Sequence, residues 1–240
     1  MQRPLKLKNQ MKSNLILLHG ALGSENQFIQ LQEFLSNHFS VYTFNFEGHG
    51  GRQSNEAYSM KLFSQNIQDF MTENGLEQSH FFGYSMGGYV ALVLAKKHPE
   101  KVGKIMTLGT KFDWTPETSA KEVKMLNPEK IEEKVPKFAA MLQKRHHPLN
   151  WKEVLRKTAQ MMLDLGNGKA LQLFDFEEIS HEVVVGIGSE DNMVTMEESR
   201  EISEKLPNGK MEIFQKFPHP IEKVDFEKLS QKIIEFLSKS

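Results

Sequence analysis

The chain has 240 residues, enough for one sizeable core or a core carrying a modest inserted subdomain. With 30 Lys and Arg against 31 Asp and Glu, its net charge of −1 offers no electrostatic footprint for nucleic acid or an anionic membrane. Cysteine is absent, which excludes disulfides, thiolate chemistry and Cys-ligated metals; no stretch reaches the length of a membrane span, and a cytoplasmic setting is expected.

At the start, Arg3, Lys6, Lys8 and Lys12 form no long run and read as a frayed, solvated end. No apolar leader with a cleavage site precedes the first apolar run. Short apolar runs then alternate with helical patterns, the signature of a parallel sheet covered on both faces. The strand candidates are Asn14–Leu18, Val41–Phe46, His80–Phe82, Lys104–Leu108, Val183–Ile187 and Lys210–Phe214. Leu62, Phe63, Ile67, Phe70 and Met71 mark one face of a helix ending near Gly75.

Gly83-Tyr84-Ser85-Met86-Gly87-Gly88 follows a strand and opens a buried helix running from Tyr89 to Ala95. A strand that turns directly into a helix strains the residue at the bend, and glycines two positions either side leave room for the crossing. The strain lifts the Ser85 hydroxyl clear of the sheet and aims the helix N-terminus at whatever it attacks.

The alternation breaks from about 112 to 180, which reads as all-helical. Asn127-Pro128 and Val135-Pro136 suit helix starts, and Asn150 with Glu153 suits a capping box before Trp151, Val154, Leu155, Met162 and Leu165. The expected organisation is a core of residues 1–111 and 181–240 with a helical lid, 112–180, over the sheet's active edge. Trp114, Met125, Phe138, Met141, Trp151, Met161, Met162, Phe174 and Phe176 mostly hold this lid together. Leu22, Trp114, Phe138, Met141 and Met162 are the candidates for lining a substrate pocket. Beyond the lid, Thr195 with Glu198 forms a capping box, and Asp225 caps a final helix whose Phe226, Leu229, Ile233 and Phe236 share a stripe.

A serine hydroxyl needs a base, an orienting acid and an oxyanion site before it attacks anything at neutral pH. Asp191 stands just past the fifth strand candidate and is the expected acid, with the adjacent Glu190 as its alternative. His219 lies in Phe217-Pro218-His219-Pro220 after the last strand and is the only histidine beyond Asp191; flanking prolines stiffen its loop. The order is serine, acid, histidine.

That order, with Leu17-Leu18-His19-Gly20-Ala21, Gly48-His49-Gly50 and the Ser85 turn, resembles the α/β-hydrolase superfamily of the lidded serine-esterase type, from about Asn14 to the C-terminus. The resemblance implies an α/β fold with a mostly parallel sheet of about six strands and helices on both faces. It implies that the Met86 and Ala21 amides form the oxyanion hole, with Leu22 as fallback for the second. Relatives open with an antiparallel hairpin, expected here to be reduced or missing. They often carry an aspartate where Asn45-Phe46-Glu47 stands. His19 is expected to buttress its loop, which Gly20 and Gly23 keep open, and His49 to pack a loop.

Several other features are read as inert. His146-His147 suits a solvated lid edge, Gly186-Ile187-Gly188 lacks a dinucleotide fingerprint, and Glu132-Glu133, Glu177-Glu178 and Glu197-Glu198 suit exposed helix faces. The expected activity is hydrolysis of a small, largely apolar carboxylic ester through an acyl-enzyme, without cofactor or metal and without nucleic-acid or membrane partners. Serine at the bend disfavours haloalkane dehalogenase and epoxide hydrolase chemistry, which use aspartate there. Thioesterase, lactonase, carbon–carbon hydrolase and non-turnover ligand-binding or signalling roles stay open.

Overall fold

The computed structural model describes residues 12–239, so Arg3, Lys6, Lys8 and the stretch where an opening hairpin is expected to be reduced or missing lie outside the described residues. Six strands form one all-parallel sheet: β1 (Asn14–Leu18), β2 (Ser40–Thr43), β3 (Ser79–Tyr84), β4 (Val102–Leu108), β5 (Val183–Glu190) and β6 (Gly209–Pro218), in the order β2-β1-β3-β4-β5-β6. Burial on both faces explains the continuous apolar runs, since every residue of Leu15–Leu18 is inaccessible to solvent.

On one face pack α1 (Ile29–Leu35) and α10 (Phe226–Leu237), burying Leu31, Leu35, Leu229 and Ile233 against Leu15, Leu17 and Phe82. On the other lie α2 (Met60–Glu73), α3 (Met86–Lys97) and α9 (Met196–Lys205), against Ile16, Phe81, Ile105 and Val183. Asp225 caps α10 by accepting from the Lys228 amide. Among the described residues no helix is long and apolar enough to cross a membrane.

Between β4 and β5 the chain is helical, as the sequence predicts: α4 (Pro116–Val123), α5 (Pro128–Lys134), α6 (Pro136–His146), α7 (Trp151–Asp164) and α8 (Leu173–Glu177). Its apolar residues Ile131, Leu142, Leu155 and Met161 belong to the same cluster as the α2–α3 face of the sheet. The insertion therefore has no core of its own, and its stability is shared with the sheet.

Three local expectations need correction. The second strand stops at Thr43, because the rings of Phe44 and Phe46 turn onto α2, with Phe44 stacked 4.7 Å from Phe70. Asn150 caps α7 through the Lys152 amide, but Glu153 pairs with Arg156 at 2.6 Å and completes no box. Thr195 caps α9 through the Glu198 amide, while the Glu198 carboxylate accepts from the Phe112 amide and the Thr195 hydroxyl and leaves the Thr195 amide, the other half of a box, untouched.

Candidate active site

Four loops meet at the C-terminal edge of the sheet, where open parallel sheets bind ligands. The first is the turn between β3 and α3. Ser85 alone makes it, with φ 51° and ψ −118°, a left-handed conformation that costs a serine strain. The bend is held by Ser85 N–H donating to Leu108 O at 2.8 Å and by Thr110 Oγ1 donating to Ser85 O at 2.9 Å. A β-carbon at Gly83 would strike the Gly87–Gly88 backbone, and one at Gly87 would strike the Leu18 carbonyl. Glycine is required at both by close approach.

The second and third loops bring His219 to Asp191. Glu190 pairs with Pro218 in the β5–β6 ladder, so the two residues that follow emerge side by side. Gly188 pairs with Phe214, so β6 spends two more residues than β5 over this stretch. Lys216, at φ 64°, takes up the surplus in a bulge, and its amide donates to Ser189 Oγ at 2.8 Å. The outcome is a hydrogen bond of 2.8 Å between His219 Nδ1 and Asp191 Oδ2. The other carboxylate oxygen accepts from the Met193 and Val194 amides at 2.9 and 3.0 Å. Burial by itself would raise the Asp191 carboxyl, but the His219 hydrogen bond and charge and the two amides outweigh it, holding the group below its ordinary value. Glu190 makes no such contact.

The fourth loop follows β1. His19 is fully buried; its Nδ1 meets Gly20 O at 2.8 Å while Nε2 accepts from the Phe46 amide at 3.2 Å. Burial, reinforced by the charges of His146 and Arg145, pushes it down to about 3, against the Gly20 contact, so the ring is a neutral crosslink. Gly23 N–H donates to Gly20 O at 3.0 Å, and Leu22 adopts φ 58°. The Leu22 carbonyl is gripped from α6: Arg145 Nη1 donates at 2.9 Å and His146 Nε2 lies 3.2 Å away. The Ala21 and Met86 amides have no acceptor among the described residues.

A small cavity of about 50 Å³ is lined by Ala21, Ser85, Met86 and His219, together with Met60, Tyr89, Lys111, Trp114, Glu122, Met161, Met162, Met193 and Val194. The nucleophile, base and oxyanion candidates thus share one space. The Ser85 hydroxyl makes no hydrogen bond among the described residues, to His219 or elsewhere. Of the expected pocket residues, Trp114 and Met162 line the cavity. Phe138 and Met141 do not: Ala139, Leu142 and His146 are the buried face of α6, which turns these two outward at 38% and 37% exposure. Leu22 is buried outside the cavity, its carbonyl committed to α6.

Two further expectations fail. His146 is wholly buried, with Nδ1 accepting from the Gly50 amide at 3.2 Å; only His147 is exposed. Glu198 is also buried, near Lys111, whereas the other glutamates of the three pairs are exposed. Burial raises the Glu198 carboxyl above its ordinary value despite the Lys111 charge. Lys111 and Glu122 were not anticipated at all, because a lone lysine after a strand and one glutamate on a charged helix carry no pattern. Among the described residues no group of three His, Asp or Glu side chains is placed to hold a metal.

Comparison with known proteins gives the fold a context. A family profile described as alpha/beta hydrolase fold matches residues 14–128. A Caulobacter segnis protein provisionally named carbamate hydrolase RutD is 26% identical over 253 residues, covering 93% of this chain and 91% of its own. The 2-hydroxy-6-oxo-6-phenylhexa-2,4-dienoate hydrolase of Rhodococcus sp. strain RHA1 superposes with a TM-score of 0.78 at 18% identity, over 95% of this chain and 91% of that one. The enol-lactonase of Burkholderia xenovorans LB400 does so with 0.76 at 17% identity, over 97% and 94%. At such identities the structural likeness concerns the fold.

Proposed function

The chain belongs to the α/β-hydrolase superfamily, and from that premise we propose that Ser85, His219 and Asp191 are its catalytic triad and that it hydrolyses a small, largely apolar carboxylic ester. One observation carries this reading. His219 Nδ1 is bonded to a buried carboxylate at 2.8 Å, which leaves Nε2 as the basic nitrogen on the cavity shared with Ser85.

In the proposed reaction Ser85 Oγ attacks the acyl carbon and its proton passes to His219 Nε2. Asp191 holds the Nδ1–H and stabilises the imidazolium that results. The oxyanion lies against the Met86 and Ala21 amides, which removal studies of such donors value at about 3 kcal/mol each. The alcohol leaves with the proton from Nε2. Water, deprotonated by His219, then attacks the acyl-enzyme and releases the acid, restoring the Ser85 hydroxyl. The Ser85–His219 hydrogen bond forms as the substrate seats, by rotation of the serine side chain, as is common when apo sites tighten in the Michaelis complex.

The size of the cavity supports a small acyl group, since about 50 Å³ is far below the several hundred Å³ of drug-sized pockets. Met60, Met86, Met161, Met162 and Met193 give it soft, adaptable walls. The insertion between β4 and β5 serves as a lid in this reading, contributing Trp114, Glu122, Met161 and Met162 to the enclosure. A second reading keeps the same triad and changes the bond attacked, because the similar structures include proteins named for enol-lactone and carbon–carbon bond hydrolysis.

Labelling by a fluorophosphonate and turnover of short p-nitrophenyl esters test the assignment. Both are expected in the wild type and lost in Ser85→Ala. An unlabelled wild type removes the nucleophile from Ser85.

A further inference from the structure

The cavity is lined by apolar groups apart from Ser85 and His219, except at one wall. Beyond that wall lies an open groove of about 1110 Å³, and Lys111, Trp114 and Glu122 line both spaces. Lys111 and Glu122 meet only as a long ion pair, and Trp114 has a donor without a partner. Lys111 Nζ stands 3.7 Å from Glu122 Oε1 and 3.9 Å from Glu198 Oε2, near enough for charge but beyond a hydrogen bond. The ammonium sits 5.8 Å from the Trp114 ring centre, and the Trp114 Nε1–H is buried without an acceptor. Glu122, 8% exposed, accepts no hydrogen bond among the described residues. Glu198 differs: its oxygens take the Phe112 amide at 3.2 Å and the Thr195 hydroxyl at 3.3 Å.

Buried donors are as a rule satisfied, so a wall that pairs an orphaned indole N–H with an ion pair too long for a hydrogen bond has room for a group that enters and bonds to all three. We propose that Lys111, Trp114 and Glu122 form a polar subsite that recognises an uncharged group able both to accept and to donate, a hydroxyl or carboxamide, on the acyl part of the substrate away from the cleaved bond. This rests on the Ser85 reading. Lys111 and Trp114 supply donors to the group's oxygen, and Glu122 accepts its O–H or N–H. Charge selects against the alternatives. A carboxylate would meet Glu122 and Glu198 beside the single ammonium, and an amine would meet Lys111. Either pays for desolvation that a neutral group avoids.

The test compares p-nitrophenyl esters of matched acyl length ending in methyl, hydroxyl, carboxamide or carboxylate. In the wild type kcat/KM is expected to favour the hydroxyl or carboxamide over methyl by about tenfold or more, the range for hydrogen bonds to charged groups. The double variant Lys111→Met/Glu122→Met removes both charges together, so neither is left buried alone. It should lose that preference, read as the ratio of kcat/KM for the hydroxyl- or carboxamide-ended ester to that for the methyl-ended ester within the same variant, so a general loss of rate cancels. Glu122→Gln alone, which preserves shape, should improve the carboxylate-ended ester by about tenfold through loss of like-charge repulsion. A wild-type preference for carboxylate overturns the proposal, as does a ratio that neither variant changes. If wild type neither takes the fluorophosphonate label nor cleaves any ester, the Ser85 reading has failed. Tryptophan-fluorescence titration with a short diol against the matching alcohol then still reads the subsite, and equal affinities overturn it.

Discussion

His219 and His146 are both buried histidines beside a loop of the same site, yet their surroundings give them opposite capacities. His146 has both ring nitrogens engaged, Nδ1 by the Gly50 amide and Nε2 at the Leu22 carbonyl. His19 is tied at both nitrogens as well, to Gly20 O and the Phe46 amide. Burial, with the charge of Arg145 in support, pushes His146 down to about 4. Rings held in this way are neutral spacers that fix loop shape. His219 is tied at Nδ1 alone, by the Asp191 carboxylate, and its Nε2 has no partner among the described residues. In the proposed reading, what separates a base from a buttress is the free nitrogen and the carboxylate behind it, not burial.

The largest expected effect falls on the member of this comparison proposed as the base. His219→Ala should lower kcat by about 10⁵-fold or more, as loss of a triad base does elsewhere. Asp191→Asn keeps the shape but cannot hold the Nδ1–H in the same tautomer, and should cost about 10⁴-fold. Single-turnover kinetics on an activated ester measure both. If either variant stays within tenfold of wild type, His219 is no different in kind from the buttressing rings.

The next effect tests whether the buttressing side matters to the reaction. Arg145 and His146 hold the carbonyl of Leu22, one residue after the Ala21 amide. Arg145 is itself braced by Glu222 at 2.7 Å. Arg145→Ala should lower kcat about tenfold with KM little changed, because a loosened amide harms the oxyanion more than the bound substrate. A rise in KM alone would assign Arg145 to substrate binding instead.

Stability against pH separates the two kinds of histidine again. His146 at about 4 and His19 at about 3 lie below their ordinary value of 6.5, so the unfolded chain gains protons first as pH falls. Their contribution is whole above about pH 6.5 and is lost progressively as pH falls toward the folded values. Between about pH 7 and 4.5 each should cost about 2–3 kcal/mol. Urea denaturation of wild type and His146→Gln at the two pH values measures it. The variant should lose less on acidification by about that amount, and an equal loss would remove His146 from the linkage.

The sequence exposed the proposed reactive residues better than the supporting ones, for a physical reason. Ser85, Asp191 and His219 each follow an apolar strand run, and a parallel sheet delivers such positions to one edge. Local pattern suffices there. The burial of His146 is decided by Gly50 and Leu22, 96 and 124 positions away, while its neighbours Arg145 and His147 look like solvated helix. Lys111 and Glu198 are likewise made by an encounter between separate elements, 87 positions apart as 198 minus 111, and charged helix faces usually meet water. The β6 bulge was hidden too, since the strand candidate ends at Phe214 and nothing marks Gln215-Lys216 as surplus chain that brings His219 to Asp191.

His49 offers the finest test. It is fully buried between His19, Tyr58, Phe63 and His146, with ring centres 5.2–5.8 Å away. Its Nδ1 meets Glu47 O at 3.1 Å, but its buried Nε2 has no partner, so the ring is only half tied. Burial holds it well below its ordinary value, and a free nitrogen with no carboxylate behind it cannot act as His219 does. Replacing a half-satisfied polar ring by an apolar group of similar size removes an unmet cost along with one modest hydrogen bond. His49→Leu should therefore change stability near pH 7 by less than about 1 kcal/mol, leave ester turnover within about twofold, and gain on wild type as pH falls. A large loss of turnover would mean that a free ring nitrogen suffices without its acid, and the distinction drawn between His219 and the buried rings would have to rest on position alone.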